Sequence, residues 1–276
     1  MMLSFAKMHG LGNDFMVVDG VTQPIFLNES QIIKLGDRHR GVGFDQLLLI
    51  EPPQQPDLDF QYRIFNADGS EVEQCGNGAR CIARFVRNVG LTWKHKIRVG
   101  TMKGVLNLQI MRNGLVSVDM GEPRLEPGDI PLRYAQKELF YHVNLDGIDY
   151  QFGSVSMGNP HCVLTVDNVD ETDVDKIGRQ LTEHHLFPEG TNVGFMQKVS
   201  DSEIRLRVYE RGVGETQACG TGACASAVIG RLQHQMENKI RVYLPGGHLH
   251  IDWGGVGETL KMMGPAELVY QGFIEL

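Results

Sequence analysis

Two short loops carry the residues best suited to chemistry. Cys75-Gly76-Asn77-Gly78-Ala79 and Cys219-Gly220-Thr221-Gly222-Ala223 share one pattern, a cysteine ahead of Gly-x-Gly-Ala, and each leads into a helix-like stretch. Asn77 and Thr221 are residue types that cap helix N-termini. A first helical turn offers unpaired backbone N–H groups and the positive end of the helix dipole. A sulfur beside it has its thiolate stabilised, so its pKa can fall below the reference of about 8.5. The glycines let backbone approach an anion closely. Two such thiols on opposite faces of one carbon can invert a stereocentre. One takes the proton as thiolate, the other delivers a proton as thiol, and the roles exchange with direction. N–H groups around a substrate carboxylate would stabilise the developing carbanion charge. An α-proton is a weak acid, so the site is expected to be dry and closed, in a cleft between two halves of the chain.

The other candidate ligands are weaker. Cys81, Cys162 and Cys224 read as small buried hydrophobes. Cys75-x₅-Cys81 is wider than the Cys-x₂₋₄-Cys spacing of structural zinc sites and Cys219-x₄-Cys224 sits at its upper limit, so zinc is a poor alternative. His248-x-His250 reads as one polar strand face, and His184-His185 as a solvated pair near a helix end. No metal is expected. No lysine stands where sequence alone would mark a Schiff base, and no cofactor is expected.

The elements that must hold these loops occur twice. Gly12-Asn13-Asp14-Phe15-Met16-Val17-Val18 returns as Gly158-Asn159-Pro160-His161-Cys162-Val163-Leu164, and Val42-Gly43-Phe44 as Val193-Gly194-Phe195. Glu71-x-x-x-Cys75 returns as Glu215-x-x-x-Cys219, Ile97-Arg98-Val99 as Ile240-Arg241-Val242, and Met120-Gly121 as Met263-Gly264. Five anchors in one order imply two homologous halves, 1–120 and 121–264, with 265–276 left over. Alternating runs predict strands over 59–65, 105–111, 115–120, 151–157, 204–209 and 247–253. Helices are predicted over 78–89 and 222–232, the second apolar or small nearly all round and so buried inside sheet. Two peripheral helices are expected near 29–37 and 173–186. Pro52-Pro53 and Pro56 mark an exposed loop, and 122–131, with three prolines, reads as an interdomain connection. The fold class is α/β of the α+β type.

Bulk properties set the limits. The 276 residues are 42% hydrophobic and 22% charged, ordinary for a globular protein with a real core. A net charge of −8 and a pI of about 5.7 argue against a nucleic-acid partner. No apolar run approaches the roughly 18 residues of a membrane span, and the first ten residues lack a signal-peptide core. Five cysteines, an odd number, in a chain this long make a secreted disulfide framework unlikely, so a cytoplasmic location is the simplest reading.

At Glu73-x-Cys75-Gly76-Asn77-Gly78-Ala79-Arg80-Cys81 and Ala218-Cys219-Gly220-Thr221-Gly222-Ala223-Cys224 the chain strongly resembles the diaminopimelate epimerases. Met8-His9-Gly10-Leu11-Gly12-Asn13-Asp14-Phe15, Met157-Gly158-Asn159-Pro160-His161 and Glu189-Gly190-Thr191-Asn192-Val193 extend the resemblance over essentially the whole chain. It implies pyridoxal-phosphate-independent interconversion of LL- and meso-diaminopimelate and a homodimer. It also implies two pseudo-symmetric domains, each a mixed sheet wrapped around a central helix, with 265–276 joining the first. By motif, Cys75 and Cys219 become the acid–base pair, with His161 and Glu210 tuning protonation or holding the substrate amine. Asn13, Gln46, Asn66, Asn159, Asn192 and Arg211 become substrate contacts, with the backbone of Gly76, Asn77, Gly220 and Thr221. The chemistry is apt: an arginine fork suits a carboxylate, a glutamate an ammonium, and asparagines serve both. A proline or hydroxyproline racemase, a thiol-redox protein and a non-catalytic binding protein of the same fold are the competing expectations.

Overall fold

The computed structural model describes residues 2–72 and 76–276; Glu73, Gln74 and Cys75 lie outside the described residues. The chain divides into two compact units, 1–119 with 263–276, and 120–262. The first contains β1 (Met2–Gly10), β2 (Asn13–Asp19), α1 (Glu29–Gly36), β3 (Gln46–Glu51), β4 (Phe60–Asn66), β5 (Glu71–Val72), α2 (Gly76–Asn88), β6 (Lys96–Thr101), β7 (Gly104–Ile110) and β8 (Val116–Asp119). The second contains β9 (Tyr141–Leu145), β10 (Ile148–Ser156), β11 (Pro160–Thr165), α3 (Val174–Thr182), β12 (Asn192–Ser200), β13 (Glu203–Glu210), β14 (Gly214–Thr216), α4 (Gly220–His234), β15 (Lys239–Leu244) and β16 (Gly247–Asp252). β17 (Lys261–Gly264) and β18 (Glu267–Glu275) follow, and β18 pairs antiparallel with β1 in the first unit.

Each unit is a mixed sheet curled around one helix, an α+β arrangement. In the first, α2 packs against β1, β2, β3, β7, β8 and β18; in the second, α4 packs against β10, β11, β12, β13, β15 and β16. Burial on all sides explains the composition of α4. Ala223, Ala225, Ala227 and Gly230 keep its girth small enough for strands to close round it. Gly153 on β10 serves the same end, since a Cβ there would meet Ile229 Cγ2 at 2.5 Å. The peripheral helices are capped as their sequences ask: Asn28 and Gln31 form a capping box on α1, and Asp173 caps α3. α3 stops at Thr182, four residues short of the expected end, where Glu183 caps back onto the Arg179 carbonyl.

The two units repeat one topology pair by pair. β2 runs parallel to β3 with Phe15 opposite Gln46, and β11 parallel to β12 with His161 opposite Asn192. β4 pairs antiparallel with β5 with Ile64 opposite Val72, and β13 with β14 with Val208 opposite Thr216. The parallel pairs β4–β6 and β13–β15 match as well. Strand register corrects one sequence anchor. Val193-Gly194-Phe195 lies inside β12, whereas Val42-Gly43-Phe44 lies in the loop before β3, so the resemblance of those triplets is coincidental. The register instead aligns Gln46 with Asn192. An ion pair is duplicated too. Arg63 forks onto Glu71 at 2.7 and 2.8 Å, and Arg207 onto Glu215 at 2.6 and 2.8 Å, pinning the short strand ahead of each cysteine loop. The repeated glutamates read from sequence thus have a structural task.

The proline-rich stretch 122–131, read from sequence as an interdomain connection, follows directly on the boundary between the units at 119/120. It belongs to the second, where Arg124 bridges Ser156 and a 3₁₀ turn over Pro127–Asp129 buries Pro127 and Ile130. Among the described residues no helix is long and apolar enough to cross a membrane.

Gly178 on α3 offers a test of the packing beside the site, because a Cβ there would meet Tyr209 Cβ and Cγ at 2.5 Å. Helix propensity favours alanine over glycine by about 1 kcal/mol, but overpacking costs about 1–3 kcal/mol. Gly178→Ala is expected to lower the urea midpoint; a higher midpoint would show that α3 can move away from β13.

Candidate active site

The second unit gathers eight of the predicted residues: Asn159, His161, Asn192, Glu210, Arg211, Cys219, Gly220 and Thr221. His161 and Asn192 stand opposite each other where β11 and β12 begin, Glu210 ends β13, and Gly220 and Thr221 open α4. Cys219 is itself the N-cap of α4. Its backbone is extended (φ −108°, ψ 109°) and its sulfur accepts from the Gly222 N–H at 3.4 Å. This corrects the expected capping role of Thr221, which lies within the first turn because the helix starts two residues earlier than predicted. Asn77 is likewise inside α2, which starts at Gly76, directly after Cys75 in sequence.

Cys219 is buried, and its Sγ lies 3.6 Å from Thr221 Oγ1. Burial pushes its thiol well above the ordinary range, and the negative charge of Glu210 pushes further the same way. The contacts from Thr221 and the Gly222 N–H oppose them without prevailing. The sequence-based expectation of a lowered pKa therefore does not hold for Cys219: desolvation outweighs the helix terminus and favours the thiol. Glu210 is half-buried, with Oε1 accepting from Thr216 Oγ1 at 2.6 Å.

His161 is wholly buried. Burial, with the nearby positive charge of Arg211, pulls its pKa down to about 3, so the imidazole is neutral at physiological pH. Nε2 lies 3.1 Å from Asn159 Oδ1. With that oxygen accepting, the proton sits on Nε2 and Nδ1 presents a lone pair, for which the described residues provide no partner. Asn159 Nδ2 donates to Thr221 Oγ1 at 3.4 Å. Asn192 is held at both ends, donating to the Pro160 carbonyl at 3.1 Å and accepting the Arg211 N–H at 3.0 Å. The Arg211 side chain is exposed and donates to the Glu189 carbonyl.

The first unit gathers Asn13, Gln46, Asn66, Gly76 and Asn77. Gln46 Nε2 donates to Asn66 Oδ1 at 3.1 Å across the β3–β4 pair, while the buried Gln46 Oε1 lacks a partner among the described residues. Asn77 Nδ2 donates to Asn13 Oδ1 at 3.2 Å, and Asn13 Nδ2 to Asp45 Oδ2 at 3.0 Å. Behind them lies a charged group that sequence reading missed. Arg38 bonds both Asp14 and Asp45, and Lys7 bonds Asp14. Burial would raise the Asp14 carboxyl, but hydrogen bonds from Arg38 and Lys7 override it and hold the group well below the usual carboxylate range. Asp45 and Thr216 were also missed. Their signal was adjacency alone, one ahead of Gln46 and the other three ahead of Cys219.

Cys81, Cys162 and Cys224 are buried, as small hydrophobes would be. His248 and His250 lie on one face of β16 with rings 5.2 Å apart. Among the described residues no three His, Cys, Asp or Glu side chains cluster to hold a metal ion.

The family model for diaminopimelate epimerase matches residues 5–126 and 153–269. Solved structures share the fold at low identity. A hydroxyproline epimerase from Agrobacterium vitis is 14% identical, with a TM-score of 0.70 over 100% of this chain and 93% of that one. A probable proline racemase from Agrobacterium radiobacter is 15% identical, with a TM-score of 0.70 over 99% and 93%. A phenazine biosynthesis protein of the PhzF family from Bacillus anthracis is 14% identical, with a TM-score of 0.69 over 100% of both chains.

Two outcomes follow from the electrostatics. Because the His161 pKa is depressed from 6.5 to about 3 by folding, the unfolded chain binds the extra proton between those values. Stability from this group is complete above pH 6.5 and declines as pH falls through the window, by up to about 1.4 kcal/mol per unit. His161→Gln should flatten the urea-midpoint profile between pH 4.5 and 6.5; an unchanged slope would place the dependence elsewhere. Secondly, Glu210→Gln should speed alkylation of Cys219 by iodoacetamide at pH 8, followed by peptide mass spectrometry. A slower reaction would contradict the charge effect.

Proposed function

The chain belongs to the diaminopimelate epimerase family, and from that premise we propose that it interconverts LL- and meso-2,6-diaminopimelate without pyridoxal phosphate, in lysine and peptidoglycan precursor synthesis. Cys75 and Cys219 serve as the acid–base pair. The observation that carries this reading is the setting of Cys219, a buried thiol capping a helix with a carboxylate beside it. In this proposal Cys219 is the thiol proton donor in one direction, with Cys75 acting as the thiolate base. The Cys75 sulfur takes the α-hydrogen, the electron pair delocalises into the substrate carboxylate, and the Cys219 proton is delivered to the opposite face. The reverse reaction exchanges the roles.

Recognition is assigned in this proposal to the candidate polar groups of the two units. Backbone N–H groups of Gly76, Asn77, Gly220 and Thr221 suit the reacting carboxylate, where added negative charge is best stabilised. The bare Nδ1 of His161 and the Oε1 of Gln46 are acceptors suited to ammonium hydrogens, and Glu210 adds negative charge. Arg211 suits the distal carboxylate, with Asn13, Asn66, Asn159 and Asn192 fixing orientation. An imino acid with one carboxylate would leave part of this set unpaired, which favours the two-ended substrate over proline or hydroxyproline. The enzyme is proposed to act in the cytoplasm as a homodimer.

Incubation with LL-diaminopimelate in D₂O is expected to yield the meso isomer carrying deuterium at the inverted α-carbon, with proline and hydroxyproline untouched. Cys75→Ser and Cys219→Ser should each lose about 100-fold or more in kcat. Wild-type enzyme that incorporates no deuterium would sink the epimerase reading, and full activity in both variants would sink the two-thiol mechanism. Turnover of thiols without α-hydrogen exchange would identify a redox protein instead.

A further inference from the structure

Arg80 is wholly buried on α2. Its Nη2 donates to Asn77 Oδ1 at 3.0 Å, its Nε to the Pro265 carbonyl at 3.0 Å, and its Nη1 to the Gly76 carbonyl at 3.4 Å. From Asn77 the bonds continue to Asn13 and then to Asp45 Oδ2. The chain therefore starts at a guanidinium, which can only donate, and ends at a carboxylate, which can only accept. A carboxamide between such ends has no choice. Turning Asn77 over would set its NH₂ against Arg80 and its oxygen against the Asn13 oxygen. Turning Asn13 over would set its oxygen against Asp45.

The second unit carries the duplicated asparagine without these ends. Strand register and the cysteine loops align Asn13 with Asn159, Asn77 with Thr221, Asp45 with Thr191 and Arg80 with Cys224. There Asn159 lies between His161 and Thr221, each of which can donate or accept, so its sense goes with the His161 tautomer and not with fixed ends. The polarity also runs the other way. In the first unit the loop residue donates to the asparagine; in the second the asparagine donates to the loop residue.

We propose that Arg80 and Asp45 are positioning residues that fix, from the two ends of one hydrogen-bonded chain running through the Asn77 carboxamide, which way the Asn13 carboxamide faces a bound amino-acid substrate. The link to substrate rests on the function proposed above; the locking of the amides does not. Asp45 serves on both oxygens: Oδ2 accepts from Asn13 and from the Asp14 N–H at 3.1 Å, and Oδ1 from Arg38 at 2.8 Å. An asparagine there offers one oxygen to donors on both sides, so one of them must face an NH₂.

Asp45→Asn, nearly isosteric and on an exposed side chain, is therefore the decisive variant. Nuclear magnetic resonance of ¹⁵N-labelled protein, with Asn13→Ala to assign the signal, reads the Asn13 carboxamide hydrogens directly. In wild type they should be shifted downfield and slow to exchange with solvent, and in Asp45→Asn exchange should rise about tenfold. With diaminopimelate, KM should rise about tenfold while kcat stays within about threefold, the pattern of a contact made equally in ground and transition states. Arg80→Lys, still a pure donor, should keep the wild-type signal, and Arg80→Gln should lose it. If Arg80→Gln does not fold, Asp45→Asn decides alone. An unchanged Asn13 signal with unchanged KM would overturn the proposal. So would a fall in kcat that tracks thermal stability while KM holds. Wild-type protein that leaves diaminopimelate untouched defeats the proposed function, and the amide signals still decide the locking.

Discussion

A helix sunk inside a sheet must find partners for its first N–H groups without help from water, and in the second unit one partner is the sulfur of Cys219. That single contact ties reactivity to folding. The position that caps α4 is the position that carries the thiol, so the helix cannot form correctly without aiming its N-terminus at the sulfur. Burial raises the energy of the thiolate while the helix terminus lowers it. Burial prevails, and Glu210 reinforces it. The balance is one that an incoming ligand can shift, because ligand charge and ligand hydrogen bonds act on the same sulfur.

In each unit the buried candidate residues are mostly neutral polar groups. Asn77, His161 and Asn192 are buried, and each is accommodated because a carboxamide or a neutral imidazole costs far less to desolvate than an ion. His161 is held neutral by that same cost. Full charges stand on Glu210 beside Cys219, on Arg211 and on the Arg38–Asp14–Asp45 group, where partners or solvent offset them. Arg80 is the exception: a buried cation satisfied by backbone carbonyls and a carboxamide at the start of α2.

Duplication supplied two copies of this design, and the copies kept different parts of it. Strand order, the parallel crossovers, the central helix and the Arg–Glu fork before each cysteine loop are common to both. These features set where the loop lies. The residues around the loop diverged: Phe15 in one unit stands where His161 does in the other, Asn66 where Glu210 does, and Arg80 where Cys224 does.

Much of this was legible in the residues themselves. The cysteine loops, their repetition, the strands and the central helices follow from side-chain type and periodicity, which are local properties, and the predicted elements lie within a few residues of those observed. The positions of Asn159, His161, Asn192, Glu210 and Thr221 around Cys219 follow from motif and resemblance. What sequence misjudged depended on neighbours distant in the chain. Thr221 is a good cap by residue type, yet the helix begins two residues earlier and gives the cap to Cys219. A helix N-terminus lowers a thiol pKa in isolation, yet a sheet closing around it reverses the outcome. The Val-Gly-Phe triplets match as letters but not as strand positions. Capping, ionisation and register are decided by which groups are excluded from water together, and only the folded chain brings those groups together.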